Sequence, residues 1–283
     1  MIQLYNNTCA QISKRITQNY STSFSIGIKL FSKDLREPIY NIYGFVRIAD
    51  EIVDTFFDHD RKYLLANFRS ETFEAINTRI SINPILQSFQ LTVHEFDIDL
   101  ELIDSFLKSM EMDLSKVSYK NDEYNSYVYG SAESVGLMCL KVFTKNDSLL
   151  FNKLKPYAQK LGSAFQKVNF LRDVNTDLEY RGRLYFPDIK DIDQLDSSVR
   201  DNFENQIDKE FNESLRGILK LPLAVKMGVF VAYIYYRTLF NKLRGKSIQE
   251  IREKRIRVSS FTKIYLLIKS YFVIKIFNSS TAQ

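Results

Sequence analysis

The chain has 283 residues, 45% of them hydrophobic and 14% aromatic, enough apolar mass for one large core, which excludes an intrinsically disordered protein. Nine Gly and five Pro give too few turn signals for an all-β or α/β fold of this length, and Cys9, Cys139 and two histidines exclude a disulfide framework or a His-rich zinc site. The net charge of +5 comes from 39 Lys and Arg against 34 Asp and Glu, and the excess sits late: from Lys220 onward there are thirteen basic and two acidic residues.

In chain order, apolar residues recur with helical spacing near 35–57, 60–79, 98–114, 122–143, 148–178, 221–244 and 258–277, and strand alternation is sustained nowhere. Residues 1–10 lack the charged start and apolar core of a signal peptide, so a cytoplasmic protein is expected. Pro38 falls where a first helical turn would tolerate it, Pro84 and Pro156 mark or bend helix starts, and Pro187 closes a polar loop. The least structured stretch is roughly 180–198. Gly130, Ser131, Ala132, Ser134 and Gly136 are small enough for a helix to approach either a neighbour or a ligand closely. Residues 264–277 come nearest to a membrane span, but Lys269 and Lys275 interrupt them. With no repeat and no Gly/Ser linker, the expectation is one all-α domain over residues 1–283.

Two constellations carry chemistry. Asp50 and Asp54 are four apart on a strongly helical segment, so both carboxylates project from one face, with Arg47 one turn earlier and Tyr43 one turn before that. Like charges so placed repel, which favours a bound cation, although solvated helices carry such pairs too. Asn169, Asp173 and Asp177 repeat the spacing of four twice and put three hard oxygen donors along one face. Two facing helices of this kind would hold magnesium when phosphate oxygens and water complete the shells; the alternative is a polar helix end before a loop.

Together the two constellations resemble the squalene and phytoene synthase family. The resemblance begins at Ser21-Thr22-Ser23-Phe24, runs through Tyr43, Arg47 and the Asp50/Asp54 pair, and includes residues 127–136. It continues through Asn169 to Asp177 and Arg181-Gly182-Arg183-Leu184-Tyr185-Phe186-Pro187, then Arg255, Arg257, Val258, Ser259 and Lys263. It implies an isoprenoid-synthase helical fold with a central apolar cavity. It further implies that Asp50, Asp54, Asn169, Asp173 and Asp177 bind Mg2+, with Mn2+ as a substitute. Arg47, Tyr43, Arg172, Ser21, Arg255 and Lys263 would engage diphosphate oxygens, while Phe24, Tyr127 and Gln166 would sit against the reacting allyl groups. One departure stands out. Where many relatives read Val-Ala-Gly, this chain reads Ser131-Ala132-Glu133, and the Glu133 carboxylate would face outward, be paired, or alter the second half-reaction.

The family chemistry implied is head-to-head condensation of two prenyl diphosphates through a cyclopropyl diphosphate. The wording of residues 127–136 looks closest to bacterial phytoene synthases, so two geranylgeranyl diphosphates giving phytoene is the expectation. A dehydrosqualene or squalene synthase using farnesyl diphosphate is the first alternative, and a non-catalytic member acting in assembly the second. Lacking a Gly-rich dinucleotide fingerprint, the chain is expected to need no NADPH. Nucleic acid is not an expected partner, because no docking motif is present and the carboxylates would repel phosphate. Residues 252–277 are expected to touch an anionic membrane surface at its inner face, through Ile264, Leu267, Ile268, Tyr271, Phe272, Ile274 and Phe277, with Lys263, Lys269 and Lys275 at the margins. Alternatively this helix simply closes the α-domain with Arg255 and Lys263 turned inward, and one helix could do both.

Overall fold

The N-terminal helix is one that apolar spacing does not signal. α1 (Ile2–Tyr20) buries Cys9, Ala10, Ser13 and Thr17, a narrow face of small side chains that allows close packing. A Cβ on Gly44 of α3 (Lys33–Asp54) would lie 2.8 Å from the Ser13 hydroxyl, so the pair must stay small. The hydroxyls of Ser13 and Ser88 share a buried hydrogen bond of 2.7 Å, which ties α1 to α5 (Pro84–Glu95).

The structure is a computed structural model that describes residues 1–189, 191, 192, 195 and 197–280, with side chains described for all of these except 248 and 276–280. Among the described residues it is all-α, with one isolated bridge between Tyr119 and Pro187 in place of any strand. α2 (Thr22–Lys29) follows α1 directly, Ser21 capping it by accepting from the Phe24 N–H at 3.2 Å. α3, α4 (Arg61–Thr78), α5 and α6 (Leu100–Asp113) meet at an aromatic stack in which Phe45 lies 3.9 Å from Phe89, 5.6 Å from Phe68 and 5.5 Å from Phe106.

The segment expected as one helix over 122–143 is instead three pieces: α7 (Asn121–Val128), a π-helical turn (Tyr129–Glu133) and α8 (Ser134–Thr144). The turn widens the helix where it is clasped from both sides. A Cβ on Gly130 would fall 2.3 Å from the Ser105 carbonyl oxygen of α6, and one on Gly162 would fall 2.8 Å from that of Ala132. Close packing and cavity contact, alternatives in the sequence, are both realised here, because Ser131, Ala132 and Gly136 line the cavity.

α9 (Ser148–Arg181) is 34 residues long, about 50 Å at 1.5 Å per residue, and forms the spine of the site. Pro156 lies in its ninth position and Pro38 in the sixth of α3, so both prolines sit one turn or more inside their helices, deeper than expected. α10 (Ser197–Ile218) packs along α9 through Phe203, Ile207, Phe211, Ser214 and Ile218. α11 (Leu223–Arg244), α12 (Ile248–Glu253) and α13 (Ser260–Ser280) complete the order. α11 is long and apolar enough to cross a bilayer by composition, yet here it packs against α2, α9, α10 and α13.

The stretch read as a polar loop is corrected by burial. Arg183, Leu184, Tyr185 and Phe186 are all at most 5% exposed. Gly182 caps α9 at φ +64°, a left-handed conformation that turns the chain back inward. The Leu184 N–H then bonds the Val117 carbonyl at 2.9 Å and the Asp188 N–H that of Tyr119 at 3.0 Å. Within the rest of that stretch, Lys190, Asp193, Gln194 and Asp196 lie outside the described residues.

Candidate functional site

A cavity of about 620 Å³ runs between α2, α3, α8, α9, α10 and α11. At one end it is lined by Ser21, Tyr43, Arg47, Asp50, Asp54, Asn169, Arg172, Asp173, Asp177 and Arg255; further along, its walls are apolar, with Ile28, Phe31, Leu140, Phe143, Leu154 and Val229 among them. Phe24, Tyr127 and Gln166 also line it. Thirteen of the sequence-derived candidates therefore face one space.

Their electrostatics differ from residue to residue. Asp173 is gripped by two arginines: the Arg172 Nε and Nη2 donate to its two oxygens at 2.9 and 2.5 Å, and the Arg255 Nε donates at 2.9 Å. Burial alone would raise its pKa, but these pairs outweigh burial and hold it below the usual carboxylate range. Among the described residues Asp50 has one ion-pair contact, Arg47 at 3.9 Å, and that guanidinium is engaged mainly with Glu51 and stacks 4.4 Å over the Tyr20 ring. Burial first, then the Asp54 charge, push Asp50 up to about 7. Burial likewise raises Asp177 to about 7 against the pull of Arg181, with the Asp173 charge adding to the rise. Tyr43, half-buried, is raised to about 12, by its partial burial first and then by the Asp50 charge.

Arginines 181 and 183 join the two acidic faces. The Arg181 Nη1 donates to Asp177 Oδ1 at 2.5 Å while its Nη2 lies 3.2 Å from Asp54 Oδ2. The Arg183 Nη1 donates to the other Asp54 oxygen at 2.8 Å, and its Nη2 to the Val53 carbonyl at 3.0 Å. Among the described residues, no three His, Cys, Asp or Glu side chains form a ready-made metal cage. What α3 and α9 offer a hard cation is five oxygen-bearing side chains, Asp50, Asp54, Asn169, Asp173 and Asp177, interleaved with arginines.

Asp113 is a residue that sequence reasoning missed. It is 6% exposed and accepts from the hydroxyls of Tyr185 at 2.7 Å, Tyr127 at 2.9 Å and Tyr119 at 3.2 Å, with Arg183 at 3.8 Å. Burial raises its pKa to about 6 despite Arg183 and the Tyr185 hydrogen bond. A signal existed: in α6 the positions 103, 106, 107 and 110 form the buried stripe, and a carboxylate at 113 continues it. The Tyr127 hydroxyl, being spent on Asp113, presents a ring rather than a free donor to the cavity.

One expectation is revised. Lys263 does not line the cavity: α13 lies along α11, where the Lys263 carbonyl accepts from the Tyr235 hydroxyl at 2.7 Å. Only Arg255 of the basic motif reaches the acidic end, because residues 254–259 run without helix and let it cross to α9. Glu133 is absent from the lining and its Oε2 accepts from Gln159 Nε2 at 3.0 Å, so of the three options for this carboxylate it is paired. Glu133→Gly is therefore expected to change turnover less than about twofold, within what an uninvolved partly buried site tolerates. A steady-state assay of that variant checks it, and a large loss would place Glu133 in the reaction.

A family model described as "Squalene/phytoene synthase" matches residues 17–262. The chain is 26% identical to a phytoene synthase of Arthrospira platensis, over 94% of this chain and 97% of that one. It is 27% identical to phytoene synthase 1, chloroplastic, of Zea mays, over 90% of this chain and 66% of the longer plant chain. In fold it is similar to a crystal structure of a dehydrosqualene synthase in complex with ligand, at TM-score 0.81 and 21% identity, covering 96% and 98% of the two chains.

Proposed function

The chain belongs to the squalene/phytoene synthase family, and from that premise we propose that it condenses two geranylgeranyl diphosphates head to head to phytoene. The observation that carries this reading is the joining of the Asp50/Asp54 face to the Asn169/Asp173/Asp177 face, with Arg181 spanning the two, at the polar end of an apolar cavity.

The donor set is made only of hard oxygens on two helices and includes Asp50, whose charge is poorly neutralised by protein, which fits magnesium shared with water and phosphate oxygens. Bound there, magnesium would offset the charge that develops on a departing diphosphate. The chain's own residues do the remainder. Arg47, Arg172 and Arg255 direct guanidinium charge at the diphosphate end, and Ser21 and Tyr43 offer hydroxyls there. Departure of the diphosphate leaves an allyl cation, which the double bond of the second substrate captures, and loss of a proton from the resulting cation closes the ring to a cyclopropyl diphosphate. A second loss of diphosphate, rearrangement of the cation and loss of another proton give the 1-1′ linked product without a reductant. Throughout, the apolar walls keep water from the cation, and the rings of Phe24, Tyr43, Tyr236 and Phe165 lie along its path.

Product analysis tests the proposal. Phytoene is expected from geranylgeranyl diphosphate and magnesium, with no product in excess EDTA and the same product when NADPH is added. Efficient conversion of farnesyl diphosphate only, to a C30 hydrocarbon, would replace this reading with that of a dehydrosqualene or squalene synthase.

A further inference from the structure

Arg181 and Arg183 are neighbours across Gly182, yet they are held in different ways. Arg183 is 3% exposed. Its Nη1 donates to Asp54 Oδ1 at 2.8 Å and to the Tyr185 hydroxyl at 3.1 Å, and its Nη2 donates to the Val53 carbonyl at 3.0 Å. To move it would break neutral hydrogen bonds as well as a charged one, deep in the protein. Arg181 is the last residue of α9 and its side chain is 23% exposed. Among the described residues its hydrogen-bond and ion-pair partners are two carboxylates, Asp177 at 2.5 Å and Asp54 at 3.2 Å. One carboxylate comes from each acidic face, and neither a backbone carbonyl nor a hydroxyl anchors the guanidinium between them.

Asp54 and Asp177 are also two of the five oxygen-bearing side chains that α3 and α9 offer to a hard cation. Without a cation, carboxylates brought together from two helices repel, and a guanidinium placed between them removes that repulsion. The same placement obstructs a metal. A divalent cation about 2.0–2.1 Å from an Asp177 oxygen, the distance magnesium requires, would stand within a few Å of the Arg181 charge, and like charges so close repel strongly. Arg181 and the metal therefore compete for one position between the faces.

We infer that Arg181 is a positioning residue that stands in for a divalent cation, holding the two acidic faces together until a metal enters and it swings away. The inference rests on the reading of Asp54 and Asp177 as metal ligands. Its consequence is a coupling between ligands. Metal alone must break the Arg181 pairs without replacement, whereas metal arriving with a diphosphate gives the released guanidinium a new anion to pair with. Metal and diphosphate thus favour each other's binding, and part of that coupling passes through one exposed side chain. Arg183, fixed by Val53 and Tyr185, stays on Asp54 throughout.

Binding of Mn2+ followed by electron paramagnetic resonance tests this without substrate turnover. The wild type should bind Mn2+ weakly alone and more tightly with inorganic pyrophosphate. Arg181→Met, and equally Arg181→Gln, should bind Mn2+ alone at least about tenfold more tightly than the wild type, the scale of a charged hydrogen bond that the metal no longer has to break. In saturating pyrophosphate that advantage should shrink. Arg181→Lys keeps the charge and should stay closer to the wild type than to Arg181→Met. The sign is what separates a stand-in from a plain clamp: if Arg181 only held the faces together, its loss would let them part and Mn2+ would bind more weakly. Melting gives a second readout, in which Arg181→Met should melt below the wild type in EDTA and gain more from Mn2+ alone. Equal or weaker binding of Mn2+ by the Met and Gln variants, with pyrophosphate still bringing Mn2+ to the wild type, would overturn the role of Arg181 and leave the metal reading intact. No Mn2+ binding by any of these proteins, even with pyrophosphate, would overturn both.

Discussion

Alanine in place of Asp173 is expected to reduce condensation by at least about 10²–10³-fold, the scale of removing a preorganised group that stabilises developing charge. Its carboxylate both belongs to the donor set and orients Arg172 and Arg255, whose guanidinium groups donate to it at 2.5–2.9 Å. Removing it also leaves two cations without their partner, so the variant should unfold at lower temperature, by about 1–3 kcal/mol for the lost charged hydrogen bonds. Asp50→Asn provides the contrast: turnover should fall comparably while the metal-free protein becomes more stable. The reason lies in linkage. A carboxyl raised to about 7 in the folded state, from 3.8, is ionised against its environment, so stability falls as pH rises from the lower value and levels off above the higher one. The gain from Asp50→Asn should therefore be larger at pH 8 than at pH 5 when melting is followed in EDTA. Near-wild-type turnover by Asp173→Ala, or a lower melting temperature for Asp50→Asn at pH 8, would separate these residues from the roles given to them.

The largest effect on stability is expected at Lys167, which α9 turns toward α10. Its Nζ lies 2.8 Å from Glu210 Oε1 between α9 and α10, and Ser163 donates to the same oxygen at 3.0 Å, while the buried Glu210 Oε2 has no partner among the described residues. Lys167→Met would leave the carboxylate with one neutral donor, a loss of about 3–5 kcal/mol for a broken buried pair. Lys167→Met with Glu210→Met should recover most of it, since two well-packed apolar side chains replace a buried pair at little net cost. Urea unfolding of the single and double variants measures both. A single variant within about 1 kcal/mol of wild type, or a double variant no better than the single, would mean that the pair is solvated rather than buried.

The carboxylate faces were legible in the sequence because they are local geometry. A spacing of four puts Asp50 with Asp54, and Asn169 with Asp173 and Asp177, on one side of a helix whatever the helix packs against. The helical class followed for the same reason, from apolar spacing and scarce glycine and proline. α1 escaped because its buried face is Cys, Ala, Ser and Thr, chosen for close approach rather than for hydrophobicity. The π-helical turn escaped because it answers to atoms on α6 and α9 that are distant in the chain.

The sequence by itself thus determined seven of the helical segments and the oxygen donors, since each depends on residues within a few turns of one another, and through the donors' pattern the family they resemble. The tertiary structure alone decided how those charges are shared. Nothing in the spacing of Arg181 and Arg183 says that they reach back to Asp54, 127 and 129 positions earlier, or that Asp113 gathers three tyrosines beneath them. Nor could it say that Arg255 reaches the cavity while Lys263 lies along α11. Coulomb energy and burial depend on separation in space, and only the packing of α3, α6, α9 and the chain after α12 sets those separations.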